Sequence, residues 1–155
     1  LTHVSDDGSV RMVDIGAKGP TQRRALAEAI VRMKPATMRA LRSRAVAKGD
    51  ALTTAQIAGI AAAKRTSDLI PLCHPIALTH VGVTFTLRPP GSVIVRCETA
   101  CTGATGVEME ALTGAAVAAL TLYDMCKAID RGMSVTSLRL LEKSGGRSGT
   151  FKRQR

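Results

Sequence analysis

HVGVTFTLRPPGSVIVRCET, residues 80–99, is the stretch whose reading decides the fold. Over residues 80–87, Val81, Val83 and Phe85 alternate with polar or small partners, the period-two pattern of a strand with one buried face. Pro89-Pro90-Gly91 then turns the chain, since proline presets φ and glycine takes turns that other residues avoid. Residues 92–99 return as the second arm of a hairpin. A hairpin implies an antiparallel sheet, so the helical patterns on either side of it are expected to pack on one side of that sheet.

Upstream, MVDI at 12–15 reads as a short strand. Residues 23–33 fit either a strand or a helix, and the strand is favoured because Ala25, Ala27, Ala29 and Val31 stand at period two. Pro35 suits the first turn of a short helix over 35–44. Asp50 is a candidate cap for a second helix over 51–64, with Leu52, Ile57, Ile60 and Ala61 as its apolar face. Downstream, Thr105-Gly106 leads into a long helix over 108–129, ended by Gly132. Residues 134–142 read as a last strand. No repeat or linker interrupts the pattern, so one α+β sandwich domain over 1–155 is expected, with 1–10 and 147–155 flexible.

The composition is 45% apolar and includes only two Phe, one Tyr and no Trp. A sizeable core of Ala, Val, Leu and Ile follows, and such small side chains let helices and subunits approach closely. Ala115, Ala116, Ala118 and Ala119 in the long helix suit tight subunit packing. The net charge of +10 predicts attraction to anions. The basic residues are scattered, and aromatics for stacking on bases are scarce, so a small phosphorylated ligand is preferred over nucleic acid. The apolar run 114–122 is too short to span a bilayer, and the chain opens on no signal-peptide pattern. A cytoplasmic protein with reduced thiols at Cys73, Cys97, Cys101 and Cys126 is the expectation.

Five groups of residues could carry chemistry. Cys73-His74 lies between Pro71 and Pro75 on a stiff, extended segment, where neighbours point to opposite faces and make a poor dyad. His74 is the better proton carrier, and Cys73 could simply be buried. Asp124 and Lys127 share a helix face, as a surface ion pair or as an acid/base pair with a cation for phosphate. Glu108-Met109-Glu110 opens that helix, where acidic residues complement its dipole; the Gly103, Thr105 and Gly106 loop before it could wrap a ligand. Lys48, ahead of Asp50, is a loop lysine or an anion anchor, and Lys64-Arg65 is similar. KSGGRSG at 143–149 offers backbone N–H groups and two cations to an anion, without matching a P-loop. Cys97-x3-Cys101 has no second ligand pair, so no metal site is expected.

Together these motifs resemble a known family. KGDALTTAQIAGIAAAKRTSDLIPLCHP at 48–75, TGVEMEALTGAAVAALTLYDMCKAID at 105–130, MVDI and the KSGG-x-SG ending are similar to the cyclic pyranopterin monophosphate synthases of molybdenum-cofactor biosynthesis. Arg147 stands where that pattern has lysine, which keeps the charge and changes the donor geometry. The resemblance implies a ferredoxin-like fold with helices on one face of an antiparallel sheet. It implies a homohexamer, a trimer of dimers, with active sites at interfaces. It implies a lyase that turns an 8,3′-cyclised dihydro-GTP into the cyclic-phosphate pyranopterin and expels pyrophosphate, with no redox cofactor because no net electron transfer occurs. The family's catalytic aspartate falls on Asp124, its lysines on Lys127 and Lys48, and its imidazole on His74. Substrate-lining positions fall on Leu72, Cys73, His74, Met109 and Glu110, and phosphate-facing charge on Lys64 and Arg23. The alternatives from other classes are a basic, non-catalytic nucleotide- or RNA-binding module and a structural assembly subunit.

Overall fold

The computed structural model describes residues 7–154. Strand β1 (Thr21–Arg32) is followed by helices α1 (Pro35–Arg42), α2 (Ala51–Ala63) and α3 (Thr66–Leu69). Next come β2 (His80–Arg88), β3 (Ser92–Gly103), α4 (Glu108–Cys126), β4 (Ser134–Ser144) and the short β5 (Phe151–Lys152). The sheet order is β2-β3-β1-β4-β5, and every neighbouring pair is antiparallel. β1 and β2 flank β3, while β3 and β4 flank β1. The first four strands with the helices between them thus give the βαββαβ arrangement of a ferredoxin-like fold.

The hairpin forms in the expected register, with Val83 opposite Cys97 and Phe85 opposite Val95. In β1 the favoured alternation holds: Ala25, Ala27, Ala29 and Val31 are all buried. They meet Ala111, Ala115, Ala118, Ala119 and Leu122 of α4, also buried, so the long helix lies on a floor of small side chains. α2 packs beside α4. A Cβ on Gly59 would stand 2.9 Å from the Gly114 carbonyl, and one on Gly114 would stand 2.5 Å from Cys97 Sγ. Glycine is what lets the two helices and the sheet approach this closely.

Several local expectations fail. Residues 12–15 form no strand, since no neighbouring strand offers them a ladder. The inward face of α2 is Ala51, Ala55, Gly59 and Ala62, while Ile57 is 64% exposed and Leu52 and Ile60 are only half-buried. The long helix stops at Cys126, and a turn leads to Asp130. Asp130 is buried and accepts from Lys34 N–H (2.8 Å), Gly132 N–H (3.0 Å) and Thr37 Oγ1 (3.3 Å). It thereby pins the start of α1 to the chain leaving α4. Those bonds, led by the Lys34 N–H, hold its carboxyl below the ordinary range. Asp50 caps α2 as expected, accepting from Thr53 N–H at 3.0 Å. Among the described residues no helix is long and apolar enough to cross a membrane.

Candidate active site

Chemistry-bearing side chains gather at both ends of α4. At its N-terminal end, the chain turns at residues 70–72, with Cys73 N–H donating to the Ile70 carbonyl at 3.0 Å. Leu72, Cys73 and His74 all line one cleft. Met109 and Glu110, from the first turn of α4, complete this cleft of about 370 Å³. His74 Nε2 lies 2.7 Å from the Val13 carbonyl. A carbonyl only accepts, so Nε2 carries a proton and donates it to this contact.

Glu110 is 3% exposed. Burial pushes its carboxyl up, and the charge of Glu108 adds to this, while its own backbone N–H pulls the other way. A carboxyl raised in this way keeps its proton to higher pH than an exposed glutamate does. Burial, then the charge of Glu110, also raises the Cys73 and Cys101 thiols. They stay protonated at neutral pH, which suits neither to nucleophilic attack.

A second cleft, of about 790 Å³, adjoins the first and shares Lys18, Thr105, Gly106 and Glu108 with it. Arg23, Gly146, Arg147 and Ser148 also line it. Arg23 donates to the carbonyls of Gly103 and Ala104, both at 3.3 Å, which fixes its guanidinium in the wall of the cleft. The KSGG glycines have a clear steric purpose. Gly145 and Gly146 have φ of 98° and 74°, and a Cβ on Gly145 would lie 2.0 Å from the Gln22 carbonyl. The chain can turn over β1 at that point only with glycine. Lys143 pairs with Glu108 at 3.9 Å and also bonds the Ser148 hydroxyl, tying the loop to the head of α4.

At the C-terminal end of α4, Asp124 takes Lys48 Nζ on Oδ2 at 2.7 Å and Lys127 Nζ on Oδ1 at 2.6 Å. The side chains of this trio are about half exposed, Asp124 at 51%. The hydrogen bonds from Lys127 and then Lys48 hold the Asp124 carboxyl down to about 2. In this pairing Asp124 is an anion that holds two ammonium groups beside it. Fourteen residues of α4 separate it from Glu110, about 20 Å at 1.5 Å per residue. One chain therefore does not bring Asp124 and Lys48 to His74. Lys64 also stands apart, in a groove on α2 beside Ile57, Ile60 and Ala61.

Lys18 lines both clefts and belongs to none of the motifs. Its signal was its setting, between Gly16 and Gly19, just past the MVDI run. Among the described residues no three His, Cys, Asp or Glu side chains gather to hold a metal ion. The clefts instead offer cations at one end and proton-handling groups at the other, a distribution suited to an organic anion.

Comparison with known proteins gives the same direction. The family model for the MoaC family matches residues 12–146. A protein of Mycobacterium bovis named cyclic pyranopterin monophosphate synthase 1 is 56% identical over 99% of this chain and 90% of its own length. One of Roseiflexus sp., named cyclic pyranopterin monophosphate synthase, is 56% identical over 97% of this chain and 96% of its own. A namesake in Nitratidesulfovibrio vulgaris is 52% identical over 98% and 95%. The match spans the LCH turn, both ends of α4 and the first half of the glycine loop alike, and with that coverage and identity the chain belongs to the MoaC family.

Proposed function

We propose that this chain converts the 8,3′-cyclised dihydro-GTP intermediate to cyclic pyranopterin monophosphate, with release of pyrophosphate, in sites that two protomers complete together. The observation that carries this reading is the two-part cleft of a MoaC-family chain, with His74 and Glu110 at one end and Arg23, Lys18 and Arg147 at the other. The ring system belongs in the smaller part, against Leu72, Cys73 and Met109. There the imidazole and the raised carboxyl move protons on and off nitrogen and oxygen as the rings open and reclose. The triphosphate belongs in the larger, cationic part. Cyclisation joins a sugar oxygen to the innermost phosphorus and breaks that phosphorus's bond to the bridging oxygen. Pyrophosphate leaves, and the hydroxyl proton passes to a base.

Lys48, Lys127 and Asp124 enter from a partner subunit. On their own chain they are about 20 Å from the cleft along α4 and half exposed, so a neighbour can cover them. The two lysines then face the phosphates, with Asp124 holding them in place. Lys64 serves only if its groove also meets a neighbour's cleft. The assembly in this reading is a homohexamer, a trimer of dimers. A reduced, cytoplasmic setting fits four free cysteines. An RNA-binding role is not favoured: the cations face a concave, ligand-sized space rather than an open stripe.

The test is to give the purified protein the cyclised dihydro-GTP and measure pyrophosphate. Release by the wild type is expected, and Asp124→Ala and Lys48→Ala should each abolish it with unchanged circular dichroism. No release by the wild type sinks the reaction; near-normal turnover by either variant sinks that residue's role.

A further inference from the structure

We infer that the main-chain carbonyl of Val13 is the positioning group of His74: it holds the Nε2 proton, fixes the ring, and leaves Nδ1 as the nitrogen that exchanges a proton with the substrate. This rests on the reaction proposed above and deepens the part of His74 in it. The contact is short, 2.7 Å from Nε2 to the Val13 oxygen. Among the described residues it is the only hydrogen bond of the ring. A neutral imidazole has one donor nitrogen and one acceptor nitrogen, so a proton fixed on Nε2 makes Nδ1 the acceptor.

Both partners are built for this contact. Residues 12–15 form neither helix nor strand, yet Val13 and Ile15 are half-buried and line the cleft while Met12 and Asp14 are exposed. Main-chain acceptors that a ladder would use are therefore left for side chains to bond. Two turns hold the end of this run. Asp14 Oδ1 accepts from the Gly16 N–H at 2.8 Å, and the Ile15 carbonyl accepts from the Lys18 N–H at 3.0 Å. On the other side, Pro75 restricts the backbone of His74 to the extended region. The ring's own torsions remain, of which χ2 is soft, and the Val13 carbonyl is what sets them. The other titratable groups lining this cleft are Lys18, Cys73, Glu108 and Glu110, and none of them bonds the ring. No carboxylate of the cleft therefore shares the orienting role that a third group plays beside a catalytic base.

The test uses the full chain with 15N-labelled histidine, read by long-range 1H–15N correlation at alkaline pH, where the neutral ring shows which nitrogen carries the proton. His74→Ala identifies the His74 signals among those of His3, His74 and His80. The wild type should show Nε2–H alone. Replacing Asp14 by its α-hydroxy acid turns the Val13 carbonyl into that of an ester, a weaker acceptor, and changes no side chain. That variant, with wild-type circular dichroism, should show both tautomers. Its kcat on the cyclised substrate should fall about three- to tenfold with KM kept, the scale of one neutral hydrogen bond. Val13→Ala removes packing and keeps the carbonyl, so its Nε2–H signature should stay; a loss there would show that packing sets the ring and overturn the inference. A wild type with Nδ1–H, or with a mixture, overturns it too, and this spectrum decides even where the ester variant misfolds. So does an ester variant that keeps wild-type kcat or only raises KM, as a loss of mere cover would. The spectra need no turnover, so an inactive wild type whose Nε2–H preference is lost in the ester variant refutes the reaction and not the orientation of the ring.

Discussion

Glu110 and Asp124 are acidic residues of one helix held in opposite states. Burial raises Glu110; two lysines lower Asp124 to about 2. The folded chain binds a proton at Glu110 more tightly than the unfolded chain does. Stability therefore falls as pH rises from the ordinary value of 4.5 through the raised native value, and levels off above it. Glu110→Gln lacks this titration, so the Tm difference, variant minus wild type, should grow with pH across that window in scanning calorimetry. A flat difference would show that Glu110 is not desolvated. Asp130 has the reverse sign. Its lowered carboxyl adds stability that is present above the ordinary 3.8 and disappears as pH falls through its native value. Asp130→Ala should cost about 1–3 kcal/mol at neutral pH in urea unfolding, with the gap closing in strong acid, because it orphans the Lys34 and Gly132 N–H groups. At this scale the chemical types of His74, Glu110 and Lys48 were legible, since each side chain's chemistry is intrinsic to it. Their states were not, because burial and pairing are set by residues far along the chain.

Among the elements, α2 and α4 test how firmly close packing is built in. Gly59→Ala gains about 1 kcal/mol of helix propensity. Against that, the new methyl meets the Gly114 carbonyl at 2.9 Å, the Ala118 Cβ at 3.0 Å and Val83 Cγ2 at 3.1 Å. Overpacking typically costs about 1–3 kcal/mol, and a main-chain contact has the least room to yield. A net loss of about 1–2 kcal/mol is expected, read as a lower urea midpoint with an unchanged m-value. A gain in stability would mean that the helices are not in intimate contact. The same two helices show why pattern reading succeeds in one place and fails in another. In β1 Ala25, Ala27, Ala29 and Val31 recur at period two between the larger Leu26, Glu28 and Ile30, so a face of small residues is legible there. α2 is apolar around most of its circumference, and periodicity cannot choose a face there. Bulk suggested Leu52, Ile57 and Ile60; proximity to α4 selected Ala51, Ala55 and Gly59. The MVDI run has strand composition, but a strand also needs a neighbour, and no local pattern encodes one. Phe151–Lys152 shows the converse, a weak sequence that becomes β5 because the edge of β4 is within reach.

On the scale of the whole molecule, the separation of the two residue groups was open to arithmetic from the start. Glu110 and Asp124 lie on one continuous helix, and fourteen residues at about 1.5 Å each place them about 20 Å apart. What the sequence cannot supply is the operator that brings one chain's Lys48 to another chain's His74. If two protomers complete each site, an assembly of two different inactive chains regains some sites. Lys48→Ala damages one side of every site, and His74→Ala damages the other. In a two-fold dimer of one of each, one site carries both lesions and the other carries none. Unfolding and refolding an equal mixture makes half of all dimers mixed, each with one intact site, so about a quarter of wild-type pyrophosphate release should return. Each variant refolded alone should stay inactive, and mixing without dissociation should restore little. A double variant, Lys48→Ala with His74→Ala, refolded with wild type gives the control of opposite sense. Its mixed dimers have one lesion at each site, so only pure wild-type dimers work and activity should fall to about a quarter, where independent protomers would leave about half. Sites held within single chains would give no recovery in the first mixture and the higher value in the second, which makes the pair of measurements decisive for the shared-site reading.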